Sequence, residues 1–183
     1  KSSTSSSNFK IITGIILIII SVFLFLSIIS FSRLDEALIQ KNFSEFVGSF
    51  SNAEVEKINS PENWMGLVGA YISFFFVNSV LGYFSLVFPV LLFLISLFLL
   101  RIISSKKILV ISNFLIILCL IFTSFFGIIR TEYHWLYDYY ELSGGVGEFI
   151  GIFLAKMLGG TGGIILLLTI LILTIIFTFN INL

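Results

Sequence analysis

Charge-free apolar stretches dominate the pattern along the chain. Two of them, 11–31 and 108–129, have the length that crosses a bilayer. About 20 residues at 1.5 Å each cover a hydrocarbon core of about 30 Å. A third, 67–100, runs for 34 residues without a charge. One straight helix through it would be about 50 Å long, and two spans with a turn would need more residues than it has. A break near Asn78, Ser79 and Gly82 resolves the conflict. Residues 66–81 then form a glycine-bearing interfacial or re-entrant half-helix, and 83–100 forms the second span. Pro89 falls inside that span and, lacking a backbone donor, is expected to kink it. The last stretch has the same form. A half-helix at 144–158 carries Glu148 and Lys156, Gly159-Gly160-Thr161-Gly162-Gly163 breaks it, and 164–179 is a short final span. The fold class is all-α integral membrane, with four transmembrane helices.

The polar segments between these runs set the expected topology. Residues 1–10 and the link between the second and third spans carry Lys1, Lys10, Arg101, Lys106 and Lys107 and no acid. The longer loops, 32–65 and 130–143, carry four basic residues and nine acidic ones. Short segments rich in Lys and Arg stay in the cytoplasm, so both termini are expected inside and both long loops outside. No small-residue cleavage site follows the first run, which is expected to remain as an anchor rather than act as a signal peptide. The chain opens on Lys1 and stops in an apolar run at Leu183, as a piece of a longer protein would.

Two halves of the chain look alike. Gly66, Gly69 and Gly82 map onto Gly144, Gly147 and Gly160 at a constant offset of 78. The unit is a span, an acidic loop, a glycine-bearing half-helix and a second span, repeated in tandem with the same orientation. Glycines at such spacing let helix backbones approach in lipid, where apolar burial no longer drives association. Gly66, Gly69, Gly144 and Gly147 are therefore expected to be packing positions where the half-helices meet neighbouring spans.

Composition adds exclusions. Of 183 residues 58% are hydrophobic, 22 are Phe and only 11% are charged, and the mean hydropathy is +1.13. A soluble fold of this size cannot hide that much apolar surface, which excludes a soluble enzyme, a nucleic-acid-binding domain and a disordered chain. Cys119 is the single cysteine and cannot form an internal disulfide.

The order of these features resembles a known family. Asn63-Trp64-Met65-Gly66-Leu67-Val68-Gly69-Ala70 is similar to the Asn-x-x-Gly-x-x-Gly-Ala element of the four-span N-terminal domain of FtsK/SpoIIIE-type DNA translocases. In that family a glycine and a proline-bearing span follow; here they are Gly82 and Pro89. Ser143-Gly144-Gly145-Val146-Gly147, the Gly159–Gly163 cluster and Leu166-Leu167-Leu168 resemble the family's last segment. The resemblance covers about 11–179. It implies a domain that anchors the protein in the bacterial inner membrane at the division septum and contacts division proteins. It also implies a linker and a hexameric ATP-driven motor that pumps chromosomal DNA. The chain has no Gly-x-x-x-x-Gly-Lys-Ser/Thr phosphate loop and no clustered basic face for DNA. ATP, Mg and DNA are expected only in the missing motor, with no enzyme chemistry, cofactor or metal in this segment.

Other residues carry competing readings. Glu148 and Lys156, in a membrane-associated segment, point to an inter-subunit ion pair or an ion site, or to an interfacial helix whose charges reach headgroups. The two lie eight residues apart, about 12 Å along a helix, so their partners must come from elsewhere. Glu132, His134, Asp138 and Glu141 match no metal-ligand spacing. With Tyr133, Trp135, Tyr137, Tyr139 and Tyr140 they read as an interfacial aromatic belt. Gly160 and Gly163 belong to the break between half-helix and span. Residues 51–61, with Glu54, Glu56 and Lys57, form either a partner-docking helix or a solvated amphipathic segment, and Phe43, Phe46 and Phe50 need cover. Lys106-Lys107 is an orientation signal that also suits anionic lipid. A small transporter or ion-conducting subunit is the alternative to the anchor, motivated by tandem halves, broken helices and the Glu148 and Lys156 charges.

Overall fold

The computed structural model describes residues 2–39 and 61–179, and no strand occurs among them. Helix α1 runs Ser2–Ile29, followed by a 3-10 turn at Arg33–Asp35 and the short α2 at Glu36–Ile39. Helix α3, Gly66–Phe74, passes into a π-helical turn at Phe75–Val80 and a 3-10 turn at Gly82–Leu86. Helix α4, Val87–Leu99, and α5, Ser105–Thr131, form a hairpin. A 3-10 turn at Tyr140–Leu142 precedes α6, Gly144–Phe179. Among the described residues, four segments are long and apolar enough to cross a membrane: Asn8–Ile29, Gly82–Leu99, Ser105–Thr131 and Gly144–Phe179. The proposed docking segment at 51–60 and Phe43, Phe46 and Phe50 lie outside the described residues.

The four long helices pack in two groups, α1 antiparallel to α4, and α5 with α6. In the first group Ser21 Oγ donates to the Pro89 carbonyl at 2.7 Å. Near the other end a Cβ on Gly14 would stand 3.1 Å from Leu100 Cγ. Hydroxyls in these apolar helices bond within their own helix, as Ser27 does to the Phe23 carbonyl (2.8 Å) and Thr131 to that of Gly127 (2.7 Å). These hydroxyls are thereby kept from unfavourable contact with lipid.

The second span begins where the apolar run was expected to break. Leu81 and Gly82 leave the helical path, with Gly82 at φ +64°. Ser85 bridges the interruption: its hydroxyl donates to the Phe76 carbonyl at 2.6 Å and accepts the Leu81 N–H at 3.1 Å. Pro89 follows shortly after the 3-10 turn that opens the span. It is the third residue of α4, in the first turn, where a missing N–H costs an α-helix no internal bond.

Helix α6 is a hairpin rather than a 36-residue rod. Only Gly159 leaves helical geometry, at φ 74°, ψ 157°, a combination open essentially to glycine alone. Beyond it the chain reverses, so that a Cβ on Gly163 would stand 3.3 Å from Leu154 Cβ. Residues nine apart on a straight helix would be about 13 Å apart. The first arm, 144–158, climbs alongside α5. The second arm, 160–179, descends it, and its Phe179 ring packs edge-on against Phe114 at 5.6 Å. Ile121, Ile128 and Leu167 form the core, with Phe125, Leu154, Ile164 and Leu171 around them. The final span therefore starts at Gly160, not at residue 164. The other residues of the cluster stay helical, and two of its glycines make contacts. Gly160 faces Glu132 Cγ, 2.7 Å from its absent Cβ, and Gly163 faces Ile128 Cδ1 at 2.9 Å.

Candidate functional site: the junction of the two halves

The two halves meet at the end of the bundle that carries the long loops. Two local structures prepare that end. In the first, Asp35 is 2% exposed, and its carboxylate accepts the backbone N–H of Glu62 at 2.8 Å and of Asn63 at 3.0 Å. This fixes Asn63 against α1. Its Nδ2 donates to the carbonyls of Ser27 (2.8 Å) and Ser30 (3.2 Å), near the C-terminus of α1, and to Ser73 Oγ (3.2 Å). Its Oδ1 accepts the Met65 N–H at 3.0 Å. One amide thus supplies donors to carbonyls that a helix end leaves without partners and starts α3.

In the second, Arg130 is buried in the last turn of α5. Its Nη1 donates to Ser143 Oγ at 2.6 Å and to Glu148 Oε2 at 3.3 Å, and its Nε and Nη2 donate to the Tyr137 carbonyl. Thr123 Oγ1 donates to the Ser143 carbonyl and, at 3.3 Å, to that of Leu81. Thr123 lies eight residues before Thr131, about 12 Å down α5, so the loop before α6 dips beside the bundle before the first arm climbs.

The halves are joined by backbone contact and by charge. Gly82 and Gly144 both have positive φ, +64° and +59°. A Cβ on Gly144 would overlap the Gly82 nitrogen, and one on Gly82 would overlap the Glu141 carbonyl oxygen. Arg33 donates through Nε and Nη2 to both carboxylate oxygens of Glu141, the second at 2.6 Å, and through Nη2 to the Asp138 carbonyl. Its guanidinium lies 4.9 Å from the Tyr140 ring centre and 5.6 Å from that of Tyr139. A bidentate Arg–carboxylate pair is among the strongest of polar contacts. Hydrogen bonding to Glu141 raises the Arg33 pKa. For Glu141, burial pushes the carboxyl up, but the Arg33 bond, a backbone bond and two nearby cations outweigh it and hold the carboxyl below its ordinary value.

The glycines singled out in the sequence divide into two kinds. Gly66, at φ +65°, has no atom within 4 Å of an added Cβ, so it serves conformation and not packing. Gly69 is crowded by Asn63 Oδ1 and Met65 Cβ of its own leading turn, not by a neighbouring span. Gly144 abuts the Val80–Gly82 break where the second span begins, and Gly147 meets the third span against Thr123. Two further contact glycines escaped sequence reading. Gly127 on α5 opposes Gly147 and Gly151 on α6, where added Cβ atoms would overlap backbone. The Gly147–Gly151 spacing was their only signal.

The charged candidates also find their places. Glu148 pairs with Arg130. Lys156 is exposed, three residues before the reversal at Gly159, whose neighbour Gly160 touches Glu132 and Tyr133 beyond the end of α5. Both charges therefore sit toward the loop end. Among the described residues no three His, Cys, Asp or Glu side chains are grouped to hold a metal ion; Glu141 faces Arg33, and His134 lies edge-on to Tyr137. Trp135, Tyr137 and Tyr139 are exposed, as a belt would be, whereas Tyr140 is partly buried against Arg33.

Residues 7–183 match the family described as the 4TM region of DNA translocase FtsK/SpoIIIE. No curated protein and no solved structure matches the chain. With nearly the whole length matched, and with four apolar helices to cross a membrane, the chain belongs to the FtsK/SpoIIIE DNA translocases, of which it is the four-span membrane region.

Proposed function

We propose that this region anchors a DNA translocase in the bacterial inner membrane at the division septum, meets division proteins there, and so couples chromosome segregation to cell division. The family match over residues 7–183 carries this reading. Both termini face the cytoplasm, because the end bearing Lys10, Arg101, Lys106 and Lys107 has no acid and stays inside. The long loops, with exposed Trp64 and Trp135, then face outward to partners. The two halves are tandem copies of one unit, each half-helix opening on a left-handed glycine, Gly66 or Gly144. The motor supplies ATP and Mg binding, DNA contact and hexamer formation; this region has neither ATPase activity nor DNA affinity. The transporter alternative loses part of what motivated it, since Glu148 has Arg130 as its partner.

The test is residues 1–183 fused to a fluorescent protein in dividing cells. Enrichment at the septum is the expected outcome, and a uniform membrane signal would overturn the anchor reading. A periplasmic reporter placed at Lys106 should be inactive; activity there would invert the topology.

A further inference from the structure

Helix α4 packs closely on α1 and only lightly on α5. Between α4 and α5 this leaves an open groove of about 390 Å³, with Phe84, Val87 and Val90 on one wall and Leu115 and Cys119 on the other. Its walls are apolar, so water gains no hydrogen bonds there, while the wall atoms lack packing partners on their open side. From Leu115 the row of side chains on α5 continues through Ile111 to Lys107, since residues four apart are neighbours on a helix surface. Lys106, Lys107, Val110 and Ile111 border a second hollow of about 270 Å³. Lys107 stands about 12 Å along the helix from Leu115, the near edge of the groove, and about 18 Å from Cys119, so a chain held at the lysines crosses one leaflet, about half of a 30 Å core, and enters the groove with its methyl end. Every charge at this end of the bundle is positive, and neither lysine is in an ion pair among the described residues.

We propose that the groove takes one acyl chain of an anionic phospholipid whose phosphate rests on Lys106 and Lys107. The occupant must be apolar along the α4–α5 groove and anionic where the row ends, and a phospholipid of the adjoining leaflet joins the two at this distance. The site goes beyond the anchoring role and does not depend on septal placement.

Native mass spectrometry of the 183-residue chain in detergent, titrated with phosphatidylglycerol or phosphatidylcholine, tests it. One phosphatidylglycerol should be retained in preference to phosphatidylcholine. Each basic side chain near an anionic surface is worth about fivefold, so K106A/K107A should weaken phosphatidylglycerol binding roughly 30-fold and leave phosphatidylcholine unchanged. Cys119→Trp, which fills the groove, should weaken both. In the unsubstituted chain, phosphatidylglycerol should slow maleimide labelling of Cys119 and inorganic phosphate should not. Equal retention of the two lipids would overturn the proposal. So would lysine dependence without any effect of Cys119→Trp or any protection of Cys119, or full competition by inorganic phosphate.

Discussion

Gly82 and Gly144 lie back to back, both with positive φ, at the point where the two halves of the bundle meet. A Cβ on Gly144 would displace the Gly82 backbone, and one on Gly82 would displace the Glu141–Leu142 backbone just before Gly144. Gly144→Ala adds left-handed strain of about 1 to 2 kcal/mol to an overlap with the Gly82 nitrogen, itself worth about 1 to 3 kcal/mol. Gly66→Ala adds only the strain, because nothing lies near its Cβ. Thermal unfolding in detergent should rank Gly144→Ala well below Gly66→Ala. Equal losses would show that the junction yields freely.

The Arg33–Glu141 pair gives the loop end a pH dependence. Glu141 is held below its ordinary pKa of 4.5 in the folded protein. A depressed carboxylate contributes stability that is fully present above the unfolded pKa and is lost as pH falls through the folded one. Melting temperature should therefore drop on acidification below about pH 4.5. Glu141→Gln should flatten that part of the profile and cost about 1 to 2 kcal/mol at neutral pH. An unchanged acid limb in Glu141→Gln would assign the loss to another carboxylate.

Arg130 and Glu148 share one contact but not one burial. The Arg130 side chain is 8% exposed and that of Glu148 is 44% exposed. Arg130→Met removes donors from Ser143 and the Tyr137 carbonyl as well as from Glu148, and should cost about 2 to 4 kcal/mol. Glu148→Gln leaves a water-accessible amide beside Arg130 and should cost under about 1 kcal/mol. Chemical unfolding of the two variants checks the order. A larger loss in Glu148→Gln would return that carboxylate to the status of a functional charge.

Arg101 closes α4 in a conformation glycine would hold more cheaply. Its φ is 61°; its N–H donates to the Phe98 carbonyl and that of Ile102 to the Leu97 carbonyl, both at 2.9 Å. This is the paired 5→2 and 6→1 pattern in which helices commonly place glycine. Arg101→Gly should raise stability by about 1 kcal/mol, measured as a higher melting temperature. It also removes one of the basic residues that hold this link in the cytoplasm, so insertion assays on the same variant should show weakened topology. A lower melting temperature would mean that the Arg101 side chain has a contact the backbone argument misses.

Length and charge along the chain were enough to identify four spans and to call for a break in each of the two over-long apolar runs. The reason is that a bilayer of fixed thickness rejects a charge-free run of the wrong length, and glycine is the residue that lets a helix stop. Tertiary structure alone decided what each glycine does. A glycine in sequence permits a bend or a contact and does not say which. Gly66 and Gly159 have no neighbours and supply conformation, whereas Gly127, Gly147 and Gly151 supply contact. The same holds for charge. Arg130 reads in sequence as a loop-edge cation, yet it is buried and holds Ser143 and Glu148. Arg33 and Glu141 stand 108 residues apart, and no local pattern joins them. Their pairing arises because both half-helices start at the same end of the bundle and bring the two loops together.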